Sequence, residues 1–318
     1  MKLQYRVAII LLHTFLPFFS VHGDEINQFS GDVLAGKNDI AIVCVPVVSV
    51  MSRSSKTPTC ADEIVVRSRF SGEMYTLPKE HRNPLCCTQL LKGDQVKILK
   101  QNDTWLLVRS LEQYVYVNGV KRYIDGWVPE YAIKRYLEKN ITETVENKSN
   151  QGEFSQNNLH GINSTCNEQA ARKKIISFMR HAIGNPYVWG GRSVGKHKVR
   201  GEVVGPDCSG LVGLAYKKAG IFIPRNAQSM RHEARAIECG ADLQTGDLIF
   251  FAHPDNKNSI THVVAYSGND SVIESKVPEG VIETACTKRF GMSMQDMVSG
   301  ELYMKPARRL YFGTFFNT

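Results

Sequence analysis

The stretch Gly205-Pro206-Asp207-Cys208-Ser209-Gly210-Leu211-Val212 constrains this chain more than any other, because it opens a short helix with a thiol in the first turn. Leu211, Val212, Leu214 and Ala215 stand at helical spacing, Lys217 and Lys218 fall in the last turn, and Gly220 is placed to end the segment. A thiol in a first turn meets unpaired backbone N–H groups and the positive end of the helix dipole, and both favour thiolate over thiol. Cys208 is therefore the candidate nucleophile, set against the ordinary alternative of a buried structural cysteine.

The 318 residues, 42% hydrophobic and 22% charged, suffice for two domains and a sizeable core, which excludes wholesale disorder. Residues 1–23 carry Lys2 and Arg6, then an apolar run from Val7 to Phe19 broken by His13, Thr14 and Pro17, then Val21-His22-Gly23. That pattern predicts a signal peptide and a protein exported to the periplasm or beyond. The run is too short for a membrane span, and no later stretch approaches the roughly 18 apolar residues a span requires. Loss of Lys2 and Arg6 lowers the formal charge from +8 to +6. So modest an excess reads as a solvated basic surface. No zinc-finger spacing and no regular basic and aromatic face point to nucleic acid. Cysteines stand at 44, 60, 86, 87, 166, 208, 239 and 286 without a CxxC pair, so metal binding is unsupported, while some disulfides are expected in an exported chain.

β-Like runs at Ile40–Val50, Glu63–Arg69, Asp94–Lys100, Trp105–Arg109 and Tyr123–Pro129 are separated by Gly, Asn, Asp and Pro, which suggests a small barrel. The order Gly93-Asp94, then Trp105-x-x-Val108, then Gly126-Trp127-Val128-Pro129 resembles the bacterial SH3-like domain, with Tyr75–Leu91 and Gln113–Lys121 as insertions. Residues 138–165 are polar and read as a linker. An amphipathic helix follows over Asn167–His181, with Ala170, Ile175, Ile176, Phe178 and Met179 as its apolar positions.

A thiol that attacks an amide needs a base within about 3 Å, and the base needs an orienting partner. Of the nine histidines, His262 alone begins a strongly β-patterned run, His262–Tyr266, and a second run, Val272–Ser275, follows across Gly268-Asn269-Asp270. With a loop of residues 267–269, Tyr266 faces Asp270 and His262 faces Glu274, roughly 5 Å apart at Cβ. Glu274 is thus the expected partner of the imidazole, and a carboxylate there raises the histidine pKa and favours a thiolate–imidazolium pair.

Four blocks of this region, Tyr187-Val188-Trp189-Gly190-Gly191, Asp207-Cys208-Ser209-Gly210-Leu211-Val212, Gly246-Asp247-Leu248-Ile249-Phe250-Phe251 and His262-Val263, resemble in their order the NlpC-type cell-wall peptidases. The resemblance runs from Gly184 to the C-terminus. It implies an α+β chain in which a papain-like NlpC-type catalytic domain follows a small all-β SH3-like barrel. The expected layout is a signal peptide over 1–23, an SH3-like β domain with insertions over 24–137, a polar linker over 138–165 and the peptidase domain over 166–318. The third polar residue of the family is usually another His, so Glu274 is a departure.

Family members with an N-terminal SH3-like domain look like γ-D-glutamyl-L-diamino acid endopeptidases, which cut peptidoglycan stem peptides bearing a free N-terminal L-Ala and use no metal or organic cofactor. The resemblance implies that Tyr187, Trp189, Asp207 and Ser209 line the substrate pocket, with an acidic contributor from the barrel at Glu63 or Glu73. An Arg-Asp pair of the same pocket becomes Arg225-Asn226 here, and a basic insertion, Lys196–Arg200, precedes Cys208. Two alternatives accompany this reading: a thiol acyltransferase on the same core, and a wall-binding protein with a vestigial catalytic domain.

Overall fold

In β6 (Gln95–Asn102) Val96 and Ile98 are buried while Gln95 and Lys97 face water, the period-two pattern of a strand with one face on a core. The same logic builds β1 (Ile40–Val43), β2 (Val47–Met51), β5 (Cys86–Leu91), β7 (Trp105–Val117), β8 (Val120–Pro129) and β9 (Ile133–Arg135) around Ala41, Val48, Leu90, Leu106, Val108 and Val128. These seven strands follow the order β5-β2-β8-β7-β6-β1-β9, while among the described residues β3 (Val65–Arg67) and β4 (Met74–Thr76) pair with each other alone. This computed structural model describes residues 40–51, 65–67, 74–76, 86–135, 165–195, 204–304 and 307–316. The expected signal peptide, all but the last residue of the expected linker, the segment Lys196–Arg200, and Cys60, Glu63 and Glu73 lie outside them. Among the described residues the strand path is open at β5 and β9, and the expected closed barrel is not found. The run Ile40–Val50 is not one strand: Cys44 to Pro46 interrupt it, and β1 and β2 lie far apart in the sheet.

Both expected insertions contribute to this sheet. Cys86–Leu91 is its edge strand β5. Gln113–Lys121 is the far end of the β7–β8 hairpin, closed by Asn118 and Gly119 at φ 50° and 76°. Positive φ at both central residues is the type I′ turn that suits the twist of paired strands.

The C-terminal half begins with α1 (Thr165–His181), which buries Ala171, Ile175, Ile176 and Met179; Ala170, expected inside, faces solvent. Helix α2 (Cys208–Lys218) carries the thiol. Gly220, at φ 86°, ends it: its N–H donates to Lys217 O and that of Ile221 to Tyr216 O, both at 3.0 Å, the Schellman arrangement. Two short helices, α3 (Ala227–Glu233) and α4 (Cys286–Phe290), follow.

The sheet of this half has the order β10-β16-β11-β12-β13-β14, formed by β10 (Arg235–Ile237), β11 (Leu248–His253), β12 (Asn256–Gly268), β13 (Ser271–Lys276), β14 (Gly280–Ala285) and β16 (Arg308–Thr314), with β15 (Leu302–Tyr303) beside β16. Both faces of β11 are covered. Leu248 and Phe250 pack with Leu211, Val212 and Ala215 of α2, while Ile249 and Phe251 pack with Cys286 and Phe290 of α4. Among the described residues no helix is long and apolar enough to cross a membrane.

A buried ionic cluster joins the two halves. Asp94 accepts from Arg192 Nη1 at 2.7 Å and from Lys217 Nζ at 2.8 Å, and Lys217 also pairs with Glu112. Burial pushes the Asp94 carboxyl up, but Arg192 and Lys217 outweigh it and hold the group below its ordinary range. Removing one member of a buried pair leaves the other charge without compensation. Asp94→Ala is therefore expected to lower unfolding stability by on the order of 3 kcal/mol in urea melts of the full chain.

Candidate active site

Helix α2 starts where close approaches force glycine. A Cβ on Gly210 would run into the Gly191 carbonyl, one on Gly191 into that of Gly205, and one on Gly205 into that of Pro186. The Trp-Gly-Gly turn can therefore lie directly on the segment that leads into the helix. Asp207 N–H donates to Gly191 O at 3.1 Å, and the Ser275 hydroxyl holds Pro206 O at 2.7 Å. Asp207 is the N-cap, with Oδ1 accepting from Gly210 N–H at 2.6 Å. Cys208 is thus the first helical residue, half-buried against the core that α2 shares with β12 and β13.

His262 is aimed by a bulge. Phe251 lies opposite His262, but Ala252 lies opposite Ile260, so Thr261 is the extra residue of β12. Bulges of this kind bend a strand and redirect the side chains beside it. The buried Arg308 pins this one, donating to Ala252 O at 2.8 Å and to Thr261 Oγ1 at 2.6 Å. The imidazole packs edge-on against Phe251, with ring centroids 5.2 Å apart.

His262 Nε2 and Glu274 Oε2 are 2.7 Å apart, and the Cys208 thiol is also a hydrogen-bond partner of the ring, which leaves Nδ1 for sulfur. The hairpin register differs from the expected one. Tyr266 pairs with Val272 and Ala265 with Ile273, and the turn is the two residues Asn269 and Asp270, at φ 50° and 53°. Continuing that register sets Glu274 opposite Val264, a slip of two residues. Because side chains alternate with period two, the slip keeps Glu274 on the face of His262, and the pair meets diagonally, within reach of a long side chain.

Arg289 of α4, which the sequence does not single out, completes the group. Its Nε donates to Glu274 Oε1 at 2.6 Å and its Nη2 to Oε2 at 2.9 Å. The guanidinium also lies 4.9 Å from the Phe251 ring centre. In sequence, Lys288-Arg289 resembles any basic pair at the end of a surface helix; the one hint was that an internal Glu274 requires a cation beyond His262. Burial pulls the imidazole down, but the Cys208 sulfur and Glu274 outweigh it and push His262 up to about 9. Burial pushes Glu274 up, and His262 and Arg289 outweigh it, holding the carboxyl down at about 2. Of the other described thiols, Cys286 is pushed up to about 12 by burial and Asp270, and burial also raises Cys87. Cys44, Cys86, Cys87, Cys208, Cys239 and Cys286 form no disulfide among the described residues.

The structure brings Cys208, His262 and Glu274 together, with Asp207 and Ser209 beside the thiol. Arg225 lies behind them. Its five N–H groups are all engaged: Nε with Thr88 Oγ1 at 2.7 Å, Nη1 with Asp207 Oδ1 at 3.1 Å and Ser209 Oγ at 3.0 Å, Nη2 with Asp207 Oδ2 at 2.8 Å and Gly191 O at 3.2 Å. Asn226 is exposed and caps α3, its Oδ1 accepting from Ser229 N–H at 2.7 Å. Tyr187 is half-buried and Trp189 is 47% exposed, on the turn that covers the start of α2. Among the described residues no group of three or more His, Cys, Asp and Glu side chains is arranged to hold a metal ion.

A thiol at a helix start, facing an imidazole that a carboxylate holds in turn, is the arrangement of enzymes that transfer acyl groups through a thioester. Residues 184–299 match the NlpC/P60 family and form an NlpC/P60 domain. Among its relatives, a γ-D-glutamyl-L-lysine dipeptidyl-peptidase of Bacillus cereus is 36% identical over 113 residues, 36% of this chain and 31% of that protein. The murein DD-endopeptidase MepH of Escherichia coli is 40% identical over 110 residues, 34% of this chain and 37% of that protein. The aligned regions span about a third of the length of these relatives. The crystal structure of an NlpC/P60 family protein from Bacillus cereus has the same fold, with a TM-score of 0.54 at 18% identity over 85% of this chain and 98% of that one.

Glu274→Gln keeps the side chain's shape but removes its charge, and is expected to lower kcat roughly 10- to 1000-fold, read in steady-state kinetics, with Glu274→Ala lower still. The pH dependence of stability carries a separate signature. The raised His262 contributes stability fully present below its ordinary 6.5 and lost as pH rises through about 9. The depressed Glu274 contributes stability present above its ordinary 4.5 and lost as pH falls through about 2. The difference in unfolding free energy between wild type and Glu274→Gln is thus expected to be greatest between pH 4.5 and 6.5 and to shrink on both sides, measured by urea melts across pH.

Proposed function

We propose that this protein is an exported cysteine endopeptidase that hydrolyses the bond between γ-D-Glu and the L-diamino acid, diaminopimelate or lysine, of peptidoglycan stem peptides with a free N-terminal L-Ala. The contact of Cys208, His262 and Glu274 is the observation that carries the reading. The names of the relatives, one a γ-D-glutamyl-L-lysine dipeptidyl-peptidase and one a murein endopeptidase, favour the substrate class. The pattern of residues 1–23 favours export. We read the seven-stranded N-terminal sheet as an SH3-like module flanking the cleft, on the Gly93-Asp94, Trp105-x-x-Val108 and Gly126-Trp127-Val128-Pro129 blocks.

In this mechanism the Cys208 thiolate adds to the scissile carbonyl carbon, and the carbonyl π electrons move onto oxygen. Cys208 and Ser209, whose N–H groups have no intrahelical acceptor, stabilise the oxyanion. The His262 imidazolium gives its proton to the departing amine of the diamino acid, the C–N bond breaks, and a thioester remains. Neutral His262 then takes a proton from water as the water oxygen attacks the thioester, and the thiolate leaves with L-Ala-γ-D-Glu released. Glu274 holds the ring through Nε2 and favours the imidazolium.

Recognition of the free α-amine falls to groups beside the thiol. Asp207 Oδ1 already accepts from Gly210, Ser209 and Arg225, whereas among the described residues Oδ2 accepts from Arg225 alone and has a lone pair for an ammonium. An N-acylated alanine brings no cation to that oxygen. The full chain should cleave L-Ala-γ-D-Glu-diaminopimelate, as read by mass spectrometry, and cleave the N-acetylated peptide much more slowly; Cys208→Ala should cleave neither. Turnover by Cys208→Ala at the wild-type rate would falsify the mechanism, and equal rates on the two peptides would sink amine recognition.

A further inference from the structure

We propose that the N-terminal sheet is a working part of the catalytic centre, with Thr88 of β5 as a positioning residue that acts through Arg225 on the two residues flanking Cys208. The proposal rests on the reading of Cys208 as nucleophile. A continuous hydrogen-bonded relay connects them. Gln113 Nε2 donates to Gln89 O at 2.9 Å, Thr88 Oγ1 and Gln113 Oε1 are 2.7 Å apart, and Arg225 Nε donates to Thr88 Oγ1 at 2.7 Å. Arg225 then grips Asp207 with both terminal nitrogens and Ser209 with one. Asp207 in turn caps α2 through Gly210 N–H.

Chemistry fixes the direction of every link. A guanidinium has donors only, so Thr88 Oγ1 accepts from Arg225 and gives its own hydrogen to Gln113 Oε1, which turns the Gln113 amide nitrogen toward Gln89 O. The relay is buried: Thr88 is 0%, Gln89 1%, Gln113 4% and Arg225 7% exposed. With all five N–H groups of Arg225 engaged, loss of the Thr88 oxygen leaves Nε–H buried without an acceptor. The guanidinium must then move, and Asp207 and Ser209, which bracket the thiol, move with it.

Two other contacts across the same seam reach elsewhere, and the backbone bond from Arg225 N–H to Tyr114 O, 2.7 Å, is one that Tyr114→Phe keeps. Tyr114 donates to Glu233 at 3.0 Å, and Tyr116 N–H donates to Ser229 Oγ at 2.8 Å; both partners belong to α3. Tyr114→Phe therefore weakens the seam without cutting the relay.

The test uses the full chain and two readouts: cleavage of L-Ala-γ-D-Glu-L-Lys, and the rate of alkylation by iodoacetamide, mapped by mass spectrometry to the peptide that contains Cys208. Thr88→Val is expected to lower kcat on the order of ten- to a hundredfold with KM changed less than about threefold, and to slow alkylation of Cys208 comparably. Thr88→Ser should restore both, and Tyr114→Phe should leave both at wild-type values. Wild-type kcat and alkylation in folded Thr88→Val would overturn the proposal, as would an equal loss in Tyr114→Phe. Should Thr88→Val fail to fold, Gln113→Met cuts the next link and is expected to shift both readouts in the same direction; wild-type values there would sink the idea. If the wild-type chain cleaves no tripeptide, the peptidase reading fails, and the alkylation contrast alone decides the proposal.

Discussion

Glu274 carries a charge where water does not reach, and the candidate centre is organised by the need to answer that charge. A buried carboxylate is costly unless both oxygens are paired and hydrogen-bonded. His262 answers at Oε2, and Arg289 answers at both oxygens. When the thiol is ionised, sulfur, imidazolium, carboxylate and guanidinium alternate in sign and the group as a whole is neutral. Arg289 reaches its place because α4 starts from a fixed point, where Cys286 N–H donates to Asp270 O at 2.8 Å beside the β12–β13 turn. The same turn therefore sets the strand that carries Glu274 and the helix that carries its clamp.

A second constraint, close backbone approach, explains why the recognisable blocks of the sequence look as they do. Gly191 belongs to the Trp-Gly-Gly turn and Gly205 and Gly210 to the stretch that opens α2, and each faces a carbonyl that a methyl group would strike. Substituting any of them would push the Trp-Gly-Gly turn away from the helix start and break the Asp207 N–H to Gly191 O bond. The glycines thus permit the geometry that Asp207 then secures, as helix cap, as partner of Arg225 and as neighbour of the thiol.

The parts of this arrangement written in local chemistry were legible. Helix α2 runs from Cys208 to Lys218 and is ended by Gly220 as its spacing predicts, since cap and terminator lie within a few residues of the pattern they bound. The meeting of His262 with Glu274 survived a register that was wrong by two, because a slip of two preserves the face; a slip of one would have parted them. What could not be read depends on distant contacts. Arg289 has no local mark that separates it from a solvated arginine, and the commitment of Arg225 to Thr88 depends on how two sheets meet. The β7–β8 hairpin is a different case, because Asn118-Gly119 between alternating Tyr and Val residues is itself a local hairpin signal.

The N-terminal sheet holds helix α2 at both ends, by different means. At the C-terminal end Lys217 is held by Asp94 and Glu112, and the same Asp94 binds Arg192 next to the Trp-Gly-Gly turn. At the N-terminal end the hold is Thr88 through Arg225 to Asp207, with uncharged groups on the sheet side. Buried ion pairs leave a large penalty when parted, which suits them to fixing how the halves meet. Hydrogen bonds between buried groups of fixed direction set position more finely, because each donor must point at its acceptor. The sheet therefore locates the helix with charges at the end far from the chemistry and aims it with directional bonds at the end that carries the thiol. Its distance from His262 follows from both.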